Sequence, residues 1–368
     1  MVDADNGSAA VKASLIVPCW NSAATLERCL ACVRAQTAPS FEAIFVDDGS
    51  TDATGALLAA AAAQDARFRV LVRPHRGVSA ARNAGLDAAR GMYVFFADPD
   101  DAFSPEMIAK GVAAMEADGA DYCVFPHRER RAGEDAFRLV PLGAPCRYAS
   151  NAEIVARHMS RMFGYSADQV RAWYAGAPLT AHRFLGGVCW CVYRRALIEA
   201  RHVRFDERIE LYEDALFNCA YMLGAERMTC IEEPLYDYIL SGGGAVARLR
   251  RGVRELRNKL EMLRARRALD AASGGRLREM YVGSCVFSLL EMAQIVLTGR
   301  APLREGLRLI AAYGRDDAVR AALRAFPLSW RRPVLAAAAL VLRGVFARGG
   351  KGGRGDSSGE RSMACVQS

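Results

Sequence analysis

Ser14-Leu15-Ile16-Val17-Pro18 and Phe41-Glu42-Ala43-Ile44-Phe45-Val46-Asp47-Asp48-Gly49 are the stretches whose reading decides the fold. Each is a short, largely apolar run that stops abruptly, the first at a proline and the second at Asp-Asp-Gly. Such runs, bounded by breakers, read as strands buried on both faces of a parallel sheet. Between them, Ala23 to Ala35 sets Leu26, Leu30 and Val33 on one helical face, with Asn21 and Ser22 as cap candidates. The alternation continues outward. Helices are expected at Ala53–Gln64, Ser79–Ala89 and Met107–Ala117, and strands at Phe68–Val72, Met92–Ala97 and Tyr122–Phe125. This β-α-β order predicts an α/β fold with a mostly parallel sheet flanked by helices.

Beyond that region the signal changes character. From His127 to about Ala181 charged and aromatic residues mix without a period, and a second organised block runs from Phe184 to Ile239. After Gly242-Gly243-Gly244 the chain turns Arg-rich, with helical spacing over Val246–Leu269, Leu277–Leu297 and Leu303–Leu323. The expected organisation is a tail (1–12), a first half (13–126), a second half (127–240), a basic helical region (241–348) and a disordered tail (349–368). Residues 241–354 carry 23 Lys+Arg against 8 Asp+Glu, so this third is strongly basic while the remainder is acidic. Anionic lipid, nucleic acid or an anionic substrate would suit that charge. No nucleic-acid-binding module is recognisable and aromatics are not interleaved with the basic run, so nucleic acid is not expected. Val334–Val345, apolar and flanked by Arg331, Arg332 and Arg348, reads either as an interfacial helix or as part of a packed bundle.

The N-terminus lacks a basic segment followed by an apolar core, and no stretch is expected to span a bilayer. A cytoplasmic location follows as an expectation, with peripheral attachment to the inner face of the membrane as its extension. Eleven scattered cysteines, most in apolar runs, read as buried free thiols, and the lone Cys29-x-x-Cys32 pair has no partner pair at zinc-site spacing. The five histidines show no ligand spacing, and His75 alone lies near the motifs below.

In an open parallel sheet ligands bind beyond the carboxyl ends of the strands. Those ends carry Pro18, Asp47-Asp48 and Asp98-Pro99-Asp100-Asp101. Ser50 and Asp52 read as turn and helix caps. Three acids around one proline exceed what a cap requires, and crowded carboxylates call for a cation or donors. Oxygen ligands beside a phosphate suit a divalent metal.

Four segments together carry a resemblance. They are Ser14-Leu15-Ile16-Val17-Pro18-Cys19-Trp20-Asn21, Phe45-Val46-Asp47-Asp48-Gly49-Ser50-Thr51-Asp52, Gly77-Val78-Ser79-Ala80-Ala81-Arg82-Asn83-Ala84-Gly85 and Phe95-Phe96-Ala97-Asp98-Pro99-Asp100-Asp101. In this order and spacing, over about the first 125 residues, the chain resembles the family 2 glycosyltransferases. The resemblance implies a GT-A (Rossmann-like) fold, a nucleotide-binding half and an acceptor-binding half. It implies that Pro18 lines the base pocket, Asp48 bonds the base, and Arg82 contacts base or phosphate. It further implies that the Asp98-Pro99-Asp100-Asp101 cluster binds ribose and a Mn²⁺ or Mg²⁺, with the metal on Asp100 or Asp101. On the acceptor side, Glu213-Asp214 resembles the family's acidic pair, with Asp214 as general base and Glu213 beside it. Helix capping is the plain alternative for this pair, and the two roles are compatible. Trp190 reads equally as an acceptor-stacking ring or as core.

The activity implied is inverting transfer from a nucleotide diphosphate sugar, UDP favoured, to a glycan or lipid-linked glycan. A metal would neutralise the leaving phosphate and one base would take the acceptor proton. No Ser-His or Cys-His arrangement is visible, consistent with a reaction needing no enzyme nucleophile. Two departures stand out. The Q-x-x-R-W motif of processive relatives is absent. The arginine that follows Tyr-x-Tyr in many non-processive relatives is also missing after Tyr236-Asp237-Tyr238, where Arg248 is a candidate substitute. A nucleotidyltransferase would need a glycine-rich phosphate loop after the first strand, which Pro18-Cys19-Trp20-Asn21 is not. A non-catalytic, membrane-associated scaffold retaining the fold is the remaining alternative.

Overall fold

The computed structural model describes residues 11–142, 146–178, 186–240, 252–311, 317–324, 337 and 340–343. The two tails beyond these residues, Arg248 and seven of the twelve residues of the Val334–Val345 segment lie outside them.

The chain forms two compact units: Met1–Gly164 with Thr180–Arg250 and Glu261–Arg278, and Tyr165–Leu179 with Arg251–Leu260 and Glu279–Ser368. In the first unit, β1 (Ala13–Cys19), α1 (Ala23–Arg34), β2 (Phe41–Asp47), α2 (Thr54–Gln64), β3 (Phe68–Val72), α3 (Val78–Ala88) and β4 (Tyr93–Phe96) follow the expected alternation. Every residue of β1 and β2 is buried, which is why both are nearly continuous apolar runs. Among their few polar residues, Glu42 has its carboxylate satisfied by the Ser14 hydroxyl (2.7 Å), the Arg90 backbone N–H (2.7 Å) and the Arg69 guanidinium.

The chain continues through β5 (Ala102–Phe103), α4 (Met107–Ala117), β6 (Tyr122–Val124), β7 (His127–Arg131) and β8 (Arg138–Val140). After helical segments over 151–163, β9 (Cys191–Arg194), a short helix at Arg195–Ala200, a helix at Glu213–Met222, β10 (Met228–Cys230) and β11 (Tyr236–Leu240) complete the sheets. The main sheet has seven strands in the order β10-β6-β9-β4-β1-β2-β3. It is parallel except at β9, which runs antiparallel between β4 and β6. A second sheet of four strands has the order β5-β11-β7-β8. The weakly patterned stretch after residue 126 therefore holds a charged hairpin and a turn of π-helix (Ile154–Met159), neither of which has a clean period.

The order β4-β1-β2-β3 reverses direction between β1 and β4, which makes their carboxyl ends a topological switch point. Cys19 pairs with Asp47 across β1 and β2, and Ile16 with Phe96 across β1 and β4. The three strand ends thus share one rim, as expected. Gly49 turns the chain there at φ +72, and a side chain on it would sit 2.8 Å from the His75 backbone nitrogen. Asp52 caps as read: its carboxylate accepts from the Thr54 N–H (2.9 Å) and from the Ala23 N–H (3.1 Å). Ser22 does not cap α1 with its hydroxyl, and Asn21 instead takes a left-handed φ of 48 and accepts from the Thr51 N–H (2.8 Å).

In the second unit a helix at Arg278–Leu297 packs through Phe287 against Tyr165 and Trp173, and Gly283 lets the backbone of 165–167 approach closely. This helix corrects the expectation that no stretch matches a bilayer span, since it is long and apolar enough to qualify. Its 72% burial is how the core helix of a folded unit also looks. Ion pairs Lys259–Glu291, Arg257–Glu305 and Arg300–Glu255 decorate the same unit.

Candidate active site

Asp48, at the end of β2, is buried and heavily engaged. Its carboxylate accepts from the Arg76 N–H (3.1 Å) and the Gly77 N–H (2.7 Å), His75 Nδ1 lies 2.8 Å away, and Arg73 Nε 3.4 Å away. His75 in turn stacks on Trp20, with centroids 4.4 Å apart and planes 17° from parallel. Trp20 is 42% exposed, whereas Pro18 is buried within β1. The exposed aromatic surface at this end of the sheet is therefore the Trp20–His75 pair. The sequence reading singled out His75 as a neighbour of the motifs but gave no role to Trp20.

The acidic cluster divides its labour. Asp101 is buried, and both its oxygens are taken: Oδ2 accepts from the Tyr236 hydroxyl (2.8 Å) and Oδ1 from the Ile239 N–H (2.8 Å). Asp98 accepts from Arg82 (3.0 Å). The Asp100 carboxylate has no donor assigned from another described residue, and burial together with the Asp98 charge raises its pKa. A carboxylate in that condition gains by meeting a cation. Between the two metal candidates left open by the sequence, the free one is thus Asp100. Arg28 of α1 donates to the backbone carbonyls of Asp100 and Asp101, fixing the loop from outside. Among the described residues no three His, Cys, Asp or Glu side chains converge as a metal cage. One or two carboxylates with substrate phosphates and water is, however, how Mg²⁺-type ions are usually held, so the donor set fits such an ion.

Arg82 is placed differently from the expectation of a base or phosphate contact. Its side chain is 6% exposed, donates to Glu213 Oε1 (2.9 Å) as well as Asp98 Oδ1 (3.0 Å), and lies over the Phe205 ring. The next residue, Asn83, brackets Phe205 by accepting from its N–H (2.8 Å) and donating to its carbonyl (2.9 Å). The Arg82-Asn83 pair of α3 therefore anchors the 205–213 segment to the sheet.

Glu213 and Asp214 open the helix Glu213–Met222, following Tyr212 in a left-handed conformation at φ 72. A bulky residue there is strained, so the turn is imposed by its surroundings. Glu213 is buried against Arg82, and Asp214 is half-buried, accepting from the Ala215 N–H (2.7 Å). Burial, and then the Glu213 charge, pushes the Asp214 carboxyl well above the usual range, while Arg82 pulls the other way. Trp190 resolves to core: it is 7% exposed, stacks on His127 at 3.9 Å, and packs edgewise on Tyr236 and Tyr238. The expected acceptor-stacking role is not supported by that placement. Tyr236, missed as a site residue, is signalled only by the Tyr-x-Tyr spacing.

Comparison with known proteins agrees with this fold. Residues 14–173 match the family model for Glycosyl transferase family 2. The uncharacterized glycosyltransferase EpsJ of Bacillus subtilis is 30% identical over 61% of this chain and 60% of its own length. The succinoglycan biosynthesis protein ExoO of Rhizobium meliloti is 30% identical over 61% of this chain and 59% of its own. The chain thus spans about 60% of the length of these curated relatives. The crystal structure of S. aureus TarS 1-349 in complex with UDP-GlcNAc superposes with a TM-score of 0.60 at 17% identity, covering 92% of both chains, and so shares the fold. Residues 14–173 of the chain thus resemble glycosyltransferase family 2, and its curated relatives are glycosyltransferases.

Proposed function

We propose that the protein moves a sugar from a nucleoside diphosphate sugar to a hydroxyl of a glycan or lipid-linked glycan, with inversion at the anomeric carbon. The observation that carries this reading is the Arg82 bridge: one buried guanidinium joins Asp98 of the first-half acidic loop to Glu213, next to Asp214. Residues 13–126 would hold the donor and 127–240 the acceptor. Trp20 and His75 offer a stacking face for the base beside Asp48, whose carboxylate orders the 76–77 backbone. Bound Mn²⁺ or Mg²⁺ would neutralise the diphosphate as a Lewis acid, held by Asp100.

Asp214 takes the proton from the acceptor hydroxyl while that oxygen bonds to the anomeric carbon. The bond to the diphosphate breaks, its electrons leaving with the nucleotide. A raised carboxyl pKa suits a base working near neutral pH, and Arg82 keeps it ionisable. UDP is the nucleotide to test first, being the one bound with the TarS fold. The test is calorimetric titration of wild type, Asp100→Asn and Asp214→Asn with UDP, GDP and dTDP, with and without Mn²⁺. Binding of one nucleotide that Mn²⁺ tightens, with the tightening lost in Asp100→Asn and kept in Asp214→Asn, supports the assignment. Folded wild-type protein that binds none of the three refutes it and favours the scaffold alternative.

A further inference from the structure

Glu213, Arg82, Asp98, Tyr236 and Asp101 form one unbroken chain of polar contacts. The Asp98 backbone N–H donates to the Tyr236 hydroxyl (3.0 Å), and that hydroxyl donates to Asp101 Oδ2 (2.8 Å). A phenol has one proton and accepting lone pairs, so a single oxygen here receives from the start of the acidic turn and gives to its end. The Asp101 N–H to Asp98 carbonyl bond (3.3 Å) closes the same turn through the backbone. The ring that carries this oxygen cannot wander. It is fully buried, stacks on Phe103 at 6.1 Å and 9°, and meets the edge of Trp190 at 6.2 Å. The other Asp101 oxygen is tied to Ile239, so Asp101 joins β11 to the turn at two points.

We infer that Tyr236 is a positioning residue: its hydroxyl holds the Asp98–Asp101 turn in the shape that leaves Asp100 to take a divalent cation together with the donor diphosphate. This rests on the transferase reading above. By occupying Asp101, the hydroxyl also removes a carboxylate that would otherwise compete for the cation. Without it, the half-buried Asp98 N–H and a buried Asp101 oxygen lose their partners, and the turn relaxes toward other donors.

Tyr236→Phe keeps the ring and its stacking. With the nucleotide that wild type binds tightest, Mn²⁺ affinity of the nucleotide complex, read by electron paramagnetic resonance of free Mn²⁺, should weaken about tenfold, as for one lost buried hydrogen bond. Nucleotide affinity in EDTA should stay within about twofold, because the base contacts lie elsewhere. Asp101→Asn should show the same cation-specific loss, and adding Tyr236→Phe to it should cost no more than about twofold. A general structural role would lower affinity equally with and without Mn²⁺ and would add to Asp101→Asn; either result overturns the inference alone. Should Tyr236→Phe lose its near-ultraviolet circular dichroism, full Mn²⁺ affinity in Asp101→Asn would overturn it instead. Wild type that binds no nucleotide overturns both the inference and the reading beneath it.

Discussion

Replacing Arg82 with methionine tests the electrostatic centre of the site. The guanidinium is 6% exposed and ion-paired to Glu213 (11% exposed) and Asp98 (29% exposed). Methionine fills most of the volume and keeps contact with Phe205, so the change is chiefly one of charge. Removing one partner of a buried pair typically costs about 3–5 kcal/mol, because the remaining charge is stranded. Asp98 is partly solvated, so we take the lower end, about 3 kcal/mol near neutral pH. The pH dependence carries the diagnosis. Burial already raises the folded-state pKa values of Glu213 and Asp214, and losing Arg82, which pulls both down, lifts them further above their unfolded values. The folded state then binds more protons than the unfolded state between those values, and stability falls as pH rises. The deficit of the variant should therefore be largest above pH 7 and shrink as pH falls through the raised folded-state values. Urea unfolding of wild type and Arg82→Met at pH 8 and pH 5 measures it. An equal loss at both pH values would refute the charge argument and leave Arg82 as a packing residue.

Asp214→Asn should lower kcat by about 10²–10⁴-fold while leaving nucleotide affinity unchanged, measured by product formation and calorimetry on the same preparation. Because burial and Glu213 raise the Asp214 pKa, the acid limb of the kcat/KM profile should lie above the ordinary carboxylate range; a limb at about pH 4 would reject Asp214 as the base. Asp101→Ala strands the Tyr236 hydroxyl and the Ile239 N–H and should cost about 2–4 kcal/mol in urea, whereas Asp100→Ala should cost less than about 1 kcal/mol. Gly91→Ala would bring a Cβ within 2.4 Å of the Ala13 backbone, so it should destabilise by about 3 kcal/mol, and a neutral result would contradict the β1 packing. Trp190→Phe should reduce stability and leave acceptor KM unchanged; the reverse pattern would return Trp190 to the acceptor site.

The sheet was legible in the sequence because its central strands are buried on both faces and so admit almost no polar residue over 13–19 and 41–46. Their terminators, Asp47-Asp48 and Asp98 to Asp101, read as a candidate site because carboxylates crowded at strand ends call for donors or a cation. Period and composition act locally, and they carried the first 125 residues. They did not reach the second sheet, whose short strands pair residues more than a hundred positions apart, such as Tyr236 with Phe103. Nor could they apportion the acids: Asp100 and Asp101 are identical neighbours in the chain, and only the arrival of β11 spends one and leaves the other. Arg82 likewise reads as a ligand contact until the fold brings Glu213, 131 residues away, to its other side. Trp190 was undecidable for the same reason, since stacking on a sugar and stacking on His127 demand the same ring. Local sequence determines where strands end and which residue types gather there; which of those residues remain available to a ligand is decided by long-range partners, because a hydrogen bond or ion pair consumes a group only once tertiary structure delivers its mate.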